Sequence, residues 1–198
     1  MICSVLIPTR RRPDGLHKAI KALHATAKPE NFDVWLRIDY DDEETLSRLR
    51  EFEAYGNVHP VIGPRLTGYM SNGEFVTELA ELAKGEWVYF TDDDGFLIGN
   101  GWDEQLKSVP KHGFIVHPEF YWLGATAYGN SGSCGVVAAF APNGCWKEYG
   151  EKGLQSPTDA WLDSVMVDRN GWKKWLLKGI TWKHERGNED DLREFRKR

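Results

Sequence analysis

Residues 87–95 read Trp-Val-Tyr-Phe-Thr-Asp-Asp-Asp-Gly, an apolar, strand-forming run that delivers three consecutive carboxylates into a glycine-bearing turn. Side chains alternate along an extended chain, so Asp92 and Asp94 point one way and Asp93 the other. Two carboxylates on one side of a strand end offer the hard oxygen ligands that Mg²⁺ or Mn²⁺ takes, and Mg²⁺ commonly completes its shell with substrate phosphates. The chemistry implied is a cation held against a phosphate. A solvated acidic turn capping the next helix would need the same residues, so the rest of the chain has to decide.

Three other clusters sit where apolar runs stop. Pro8-Thr9-Arg10 follows Cys3–Ile7 and continues into Arg11-Arg12; Asp39-Tyr40-Asp41-Asp42 follows Val34–Ile38; His184 follows Ile180–Lys183. Each has a plainer explanation. Asp39 could simply end a strand beside a helix cap at Asp41 or Asp42. Arg10 to Arg12 could meet a diphosphate, an anionic acceptor or only solvent before Pro13, and three arginines exceed what one diphosphate beside a cation requires. His184, between Lys183 and Glu185, would by default be exposed. Asp159 lies in Ser156-Pro157-Thr158-Asp159, close to a capping box at a helix start, with Asp163 one turn on. Tyr121, Trp122 and Trp161 could stack on a sugar ring, although aromatic side chains more often pack in cores.

The elements that must position these residues follow from periodicity. Strands are predicted at Cys3–Ile7 (stopped by Pro8), Val34–Ile38, Val58–Ile62 and Glu86–Thr91. Between them helical spacing covers Asp14–Ala27, with Asp14 as N-cap, then Glu43–Tyr55. A third helix opens on the capping-box pattern Ser71-Asn72-Gly73-Glu74, with Phe75, Leu79 and Leu82 inward. Strand alternating with helix argues for an α/β fold with a mainly parallel sheet, and such sheets bind ligands beyond the carboxyl ends of their strands. That rule gathers Pro8-Thr9-Arg10, Asp39–Asp42 and Asp92–Asp94 at one edge. The second half is less regular: a strand at Gly113–His117, a small-residue loop at Gly124–Gly135, a strand at Val136–Ala141, helices at Pro157–Asp168 and Gly171–Leu177, and a strand at Ile180–Lys183.

The whole chain sets bounds. Its 198 residues suit one domain with a sizeable core, and its net charge of −5 gives no global attraction to nucleic acid or membrane. The basic tail Arg193–Arg198 reads as a frayed, solvated terminus. Nine tryptophans suggest that several line a groove, with the core taking most. Cys3, Cys134 and Cys145 are odd in number and lack metal-knuckle spacing, which reads as reduced thiols and a cytoplasmic location. The opening residues do not form a signal peptide, and no apolar stretch is long enough for a membrane span.

The stretches Ser4–Arg10 and Gly85–Asp94, with the acidic end of the second strand, resemble glycosyltransferases of the GT-A fold, family 2 type, over roughly residues 2–108. The resemblance implies a Rossmann-like α/β/α sandwich. It also implies a single domain over 1–198, with a nucleotide-sugar-binding half at 1–108 and an acceptor-side half at 109–198. The implied activity is transfer of a sugar from a nucleoside-diphosphate sugar to an acceptor hydroxyl with inversion, using Mn²⁺ or Mg²⁺. The family's DxD motif falls on Asp92, Asp93 and Asp94: Asp94 as metal ligand, completed by His184, and Asp92 nearer the donor's ribose or sugar. Asp39 takes the position that reads the nucleobase, and Pro8, Thr9 and Arg10 the loop that wraps the nucleotide. Asp159 resembles the catalytic base, although Thr158-Asp159 replaces the usual Glu-Asp pair. A retaining transferase would share the donor site without needing Asp159. A nucleotidyltransferase would bring a glycine-rich N-terminal loop that this sequence lacks. A nucleotide- or carbohydrate-binding module with an inactive site is the non-enzymatic alternative. The acceptor could be a small saccharide, a polymer presented by a partner, or a modified nucleic-acid base, the last disfavoured by the overall acidity.

Overall fold

The structure is a computed structural model that describes residues 1–65, 71–123, 126–129, 139–145 and 162–184. Four parallel strands lie in the order β3 (Val58–Gly63), β2 (Phe32–Asp39), β1 (Cys3–Thr9), β4 (Trp87–Phe90). Their connections carry α1 (Pro13–Thr26), the short α2 (Glu43–Leu46) and α3 (Leu49–Glu53), and α4 (Ser71–Leu82). Beyond β4 come β5 (Gly95–Ile98), α5 (Trp102–Leu106), β6 (Phe114–Leu123), β7 (Thr126–Gly129), β8 (Phe140–Pro142), a π-helical segment Leu162–Arg169, and β9 (Lys173–His184). The sheet continues past β4 as β8-β6-β9-β5, with β7 on β6. Because β8 is antiparallel to both β4 and β6, and β9 is parallel to β6, strands β1 to β4, β6 and β9 all run one way. The sheet is mixed and mostly parallel.

Alternation along β1 shows the layers. Val5 and Ile7 pack with Leu16 and Ile20 of α1, Phe52 of α3 and Trp102 of α5 on one face. Leu6 packs with Val76, Leu79 and Ala80 of α4 and with Met166 on the other. Strands covered on both faces must be apolar on both, which is why β1 and β4 read as nearly unbroken apolar runs, whereas β2 also buries Asp33 and Arg37. The result is the α/β/α sandwich of the GT-A fold. Trp87 and Trp102 are fully buried, so much of the tryptophan content is core.

Several boundaries differ from those predicted. Pro8 does not stop β1, which pairs with β2 as far as Thr9. Leu6 accepts from Thr91 N on the β4 side, so the missing amide of Pro8, two residues on, faces the same side after that ladder has ended. The N-cap of α1 is Arg12 with Pro13 in the first turn, placing Asp14 inside the helix rather than at its cap. The span predicted as one helix from Glu43 is two short ones, the first capped by Asp42, whose side chain accepts from Thr45 N at 3.1 Å. Helix α4 turns Val76, Leu79 and Ala80 inward, while Leu82 is exposed.

The largest correction concerns Gly171–Leu177, which is not a helix: from Lys173 the chain is β9, paired in parallel with β6 from Phe114↔Lys173 onward. Alternating partial burial over Lys173–Leu176 fits a period of two, and a long-range ladder outweighs the local helical pattern. The loop expected at Gly124–Gly135 contains β7, paired Phe120↔Gly129 to Leu123↔Thr126. The strand expected at Val136–Ala141 is described only as β8, Phe140–Pro142. Of the helix expected at Pro157–Asp168, residues 162–169 are helical with π geometry, and its start lies outside the described residues.

Candidate active site

The site lies where β1, β2 and β4 end. The last link between β1 and β4 is Thr91 N to Leu6 O, 3.1 Å, after which Asp92, Asp93 and Asp94 leave the sheet and Gly95 starts β5. Strand β5 runs antiparallel to β9 with Gly95 opposite His184, which brings the histidine from ninety residues away to the acidic turn. Gly95 permits this approach: a Cβ there would stand 2.7 Å from Thr91 Oγ1 and 2.8 Å from Trp182 Nε1. With glycine in place, Trp182 Nε1 donates to Thr91 Oγ1 at 3.4 Å, and the His184 ring stacks on Trp182 at 5.5 Å and 21°.

His184 Nε2 lies 2.9 Å from Asp94 Oδ1. Asp92, Asp94 and His184 each offer a ligand atom within 4.8 Å of the others. The Asp93 side chain turns away to accept from Thr9 Oγ1 at 2.8 Å. The triplet lies in a turn beyond the end of β4, not in extended strand, so strand alternation does not set these directions; Arg12 NH1 meets both Asp93 Oδ1 and Asp94 Oδ2.

Electrostatics show how much negative charge is concentrated here. Burial, then the charges of Asp94 and Asp93, push the Asp92 carboxyl up to about 7. Burial likewise raises Asp93 to about 6, against the opposing pull of Arg12 and the Thr9 hydroxyl. The His184 imidazole is raised, chiefly by its hydrogen bond to Asp94. Among the described residues no hydrogen-bond donor meets the Asp92 side chain. A dication suits such a donor set. Adjacent ligands on an octahedral shell at 2.0–2.1 Å stand about 3 Å apart, close to the spacing of His184 Nε2 and Asp94 Oδ1. Asp92, Asp94 and His184 could hold a divalent cation.

The arginine turn links this cluster to the end of β2. Arg11 has φ 54, in the left-handed region, and its amide donates to Asp42 Oδ2 at 2.8 Å. That kink sends its neighbours to different acids. Arg10 pairs with Asp39 and with Asp41, 3.0 Å, while Arg12 NH1 pairs with Asp94 Oδ2 at 3.0 Å and Asp93 Oδ1 at 3.4 Å. The Arg10 contact holds the Asp41 carboxyl below its usual range. Asp39 and Asp94 therefore flank one three-residue turn at the same sheet edge. Pro8 and Thr9 lead into that turn.

The sequence reading gave no role to Arg37. It is fully buried, donates from Nε to Glu78 at 2.6 Å and from NH2 to Pro64 O at 2.7 Å, and approaches Asp39 Oδ1 at 3.5 Å. Gly63 makes room for it: a Cβ there would lie 2.6 Å from the guanidinium. A cationic side chain two residues before Asp39, inside the mostly apolar run Val34–Ile38, was the signal available. Arg12 was visible only as one of three adjacent arginines. Asp159 and Trp161 lie outside the described residues, while Tyr121 and Trp122 are on β6.

Comparison with known proteins agrees with this architecture. Residues 4–126 match the family model for glycosyl transferase family 2. The chain belongs to that family. Its fold is shared with S. aureus TarS (TM-score 0.70, 14% identity, covering 98% of this chain and 38% of that one). It is also shared with GalNAc-T7, solved with UDP, GalNAc and Mn²⁺ (TM-score 0.69, 15% identity, 93% and 44%). A third is the mannosyltransferase PcManGT of Pyrobaculum calidifontis, solved with GDP-Man and Mn²⁺ (TM-score 0.68, 13% identity, 98% and 60%). This family 2 chain thus spans less than two thirds of the length of these structures. No curated protein matches it in sequence.

Proposed function

We propose that this protein transfers a sugar from a nucleoside-diphosphate sugar to an acceptor hydroxyl, with a divalent cation held by Asp94, His184 and Asp92. The observation that carries the reading is the meeting of His184 Nε2 with Asp94 Oδ1 at 2.9 Å beside Asp92, at the strand ends where the arginine turn also lies. Family membership supports it, as do structural neighbours solved with UDP or GDP-Man and Mn²⁺.

A divalent cation held by Asp94, His184 and Asp92 would supply positive charge to offset that of the departing diphosphate. Asp39, fixed between Arg10 and Arg37, accepts a hydrogen bond from the nucleobase. Thr9 holds Asp93 turned away from the ligand atoms, and Trp182 sets the plane of the His184 ring. The acceptor oxygen bonds to the anomeric carbon as the bond from that carbon to the diphosphate breaks, its electron pair leaving with the phosphate. Asp159 takes the acceptor's proton, and the anomeric configuration inverts.

Residues 1–108 form the donor half of one domain over 1–198, and 109–198 the acceptor side. Among the described residues no helix is long and apolar enough to cross a membrane. We assign the protein to the cytoplasm on its cysteine usage: Cys3 and Cys145 are buried, and neither forms a disulfide among the described residues.

A thermal-shift panel of UDP, GDP and their sugars with and without Mn²⁺ tests the donor reading. Stabilisation by one nucleotide class only when metal is present supports it. Equal melting temperatures across the panel would remove it, and hydrolysis of the stabilising nucleotide sugar without acceptor would rule out an inactive binding module.

A further inference from the structure

Arg12 and the proposed cation compete for one carboxylate. Arg12 NH1 lies 3.0 Å from Asp94 Oδ2 and 3.4 Å from Asp93 Oδ1, while Asp94 Oδ1 faces His184. Both oxygens of Asp94 thus face cationic or donor groups. Arg10, two residues earlier, is committed to Asp39 and Asp41 on the other side of the turn, so the two arginines are not interchangeable. The Arg12 side chain is 42% exposed and belongs to the N-cap residue of α1. A dication at Asp94 would stand close to that guanidinium, and the repulsion disfavours both at once. A diphosphate offers the guanidinium an alternative anionic partner with matching forked geometry.

We propose that Arg12 is an exchangeable counter-ion: it neutralises Asp93 and Asp94 before ligands bind, then transfers to the donor's diphosphate, releasing Asp94 to the cation. Cation and nucleoside diphosphate are therefore coupled through Arg12, beyond the direct contact between phosphate and metal. The role goes further than the donor site proposed above and rests on it. Its consequence is that the protein takes up the cation alone only weakly and takes up cation and donor together. A transferase built in this way holds its metal tightly only when there is a diphosphate to neutralise.

The test is Mn²⁺ binding followed by the electron paramagnetic resonance of free Mn²⁺, for wild type and Arg12→Ala, each alone and with UDP and GDP in turn. Arg48→Ala, which removes a surface arginine paired with Asp14, controls for general charge. Arg12→Ala is expected to bind Mn²⁺ alone about tenfold more tightly, because the half-exposed ion pairs that Mn²⁺ must otherwise displace are gone. The factor by which the nucleotide tightens Mn²⁺ is expected to fall by at least as much. Linkage requires the same loss of coupling when nucleotide affinity is measured with and without Mn²⁺ by calorimetry. If Arg12→Ala changes Mn²⁺ affinity equally with and without nucleotide, Arg12 acts only as a nearby charge and the exchange is refuted. If wild type and Arg12→Ala bind Mn²⁺ identically in both conditions, the exchange fails while the metal site stands. If neither binds Mn²⁺ with either nucleotide, the metal site itself fails, and the exchange with it.

Discussion

Replacing Asp92 by asparagine should make the metal-free protein more stable while removing much of its response to metal. Burial and the neighbouring acids raise the Asp92 carboxyl from 3.8 to about 7. A group whose folded pKa lies above its unfolded one contributes no penalty below the unfolded value, and destabilises progressively as pH rises through the folded value. The window is thus roughly pH 4 to 7. Holding the carboxyl at about 7 instead of 3.8 corresponds to about 4 kcal/mol at most. Asp92 keeps some solvent contact, so about 1–3 kcal/mol is the realistic range. For a chain of this length that is about 3–10 °C in melting temperature. The amide keeps the side chain's shape and removes its charge. The assay is differential scanning fluorimetry of wild type and Asp92→Asn from pH 4.5 to 8.5 in chelator, then with Mn²⁺. The variant should melt close to wild type at pH 4.5 and clearly above it at pH 8, and Mn²⁺ should raise the melting temperature of wild type more. A variant that melts below wild type at pH 8 in chelator, or with the same offset at both ends of the range, would refute the electrostatic reasoning.

Other predictions concern the residues that hold the cluster in place. Arg37→Ala removes a buried guanidinium from Glu78, which is half-exposed, and from Asp39, which keeps Arg10, and should cost about 1–3 kcal/mol in urea denaturation; a loss below about 0.5 kcal/mol would mean that these contacts are not formed in solution. Gly95→Ala sets a methyl group against Thr91 and Trp182 and should cost about 1–3 kcal/mol, weakening Mn²⁺ binding followed by electron paramagnetic resonance; unchanged metal affinity would show that the approach of β9 to the acidic turn is not needed. His184→Ala should weaken Mn²⁺ at least about tenfold with circular dichroism unchanged, and wild-type affinity would remove His184 from the ligand set. Asp159→Asn should lower turnover at least about 100-fold with little change in KM; near-wild-type turnover with retained anomeric configuration would point to the retaining mechanism.

How much was legible in the sequence depends on the range of the interactions. The four parallel strands and the acidic turn were readable because strands buried on both faces need apolar residues at most positions, and the turn breaks that run abruptly. The convergence of Asp39, Asp94 and the arginine turn followed from a topological rule rather than from any one residue. The Gly171–Leu177 segment was misread because its periodicity is ambiguous, and what decides it is the ladder to β6 more than fifty residues away. Arg12 could not be told from Arg10 and Arg11, since the backbone kink at Arg11 that separates them has no sequence signal: a non-glycine residue occupies the left-handed region. Arg37 was overlooked for a related reason. A cationic side chain in a mostly apolar run identifies a buried ion pair only once Glu78 is known to face it.

The most direct measurement is anomalous diffraction at the manganese edge from crystals grown with Mn²⁺ and whichever of UDP or GDP stabilises the protein. The account predicts one strong peak within bonding distance of an Asp94 carboxylate oxygen and His184 Nε2, with diphosphate density on its far side and Arg12 turned toward that density. A peak elsewhere, or none at Asp94 when the nucleotide is clearly bound, would contradict it.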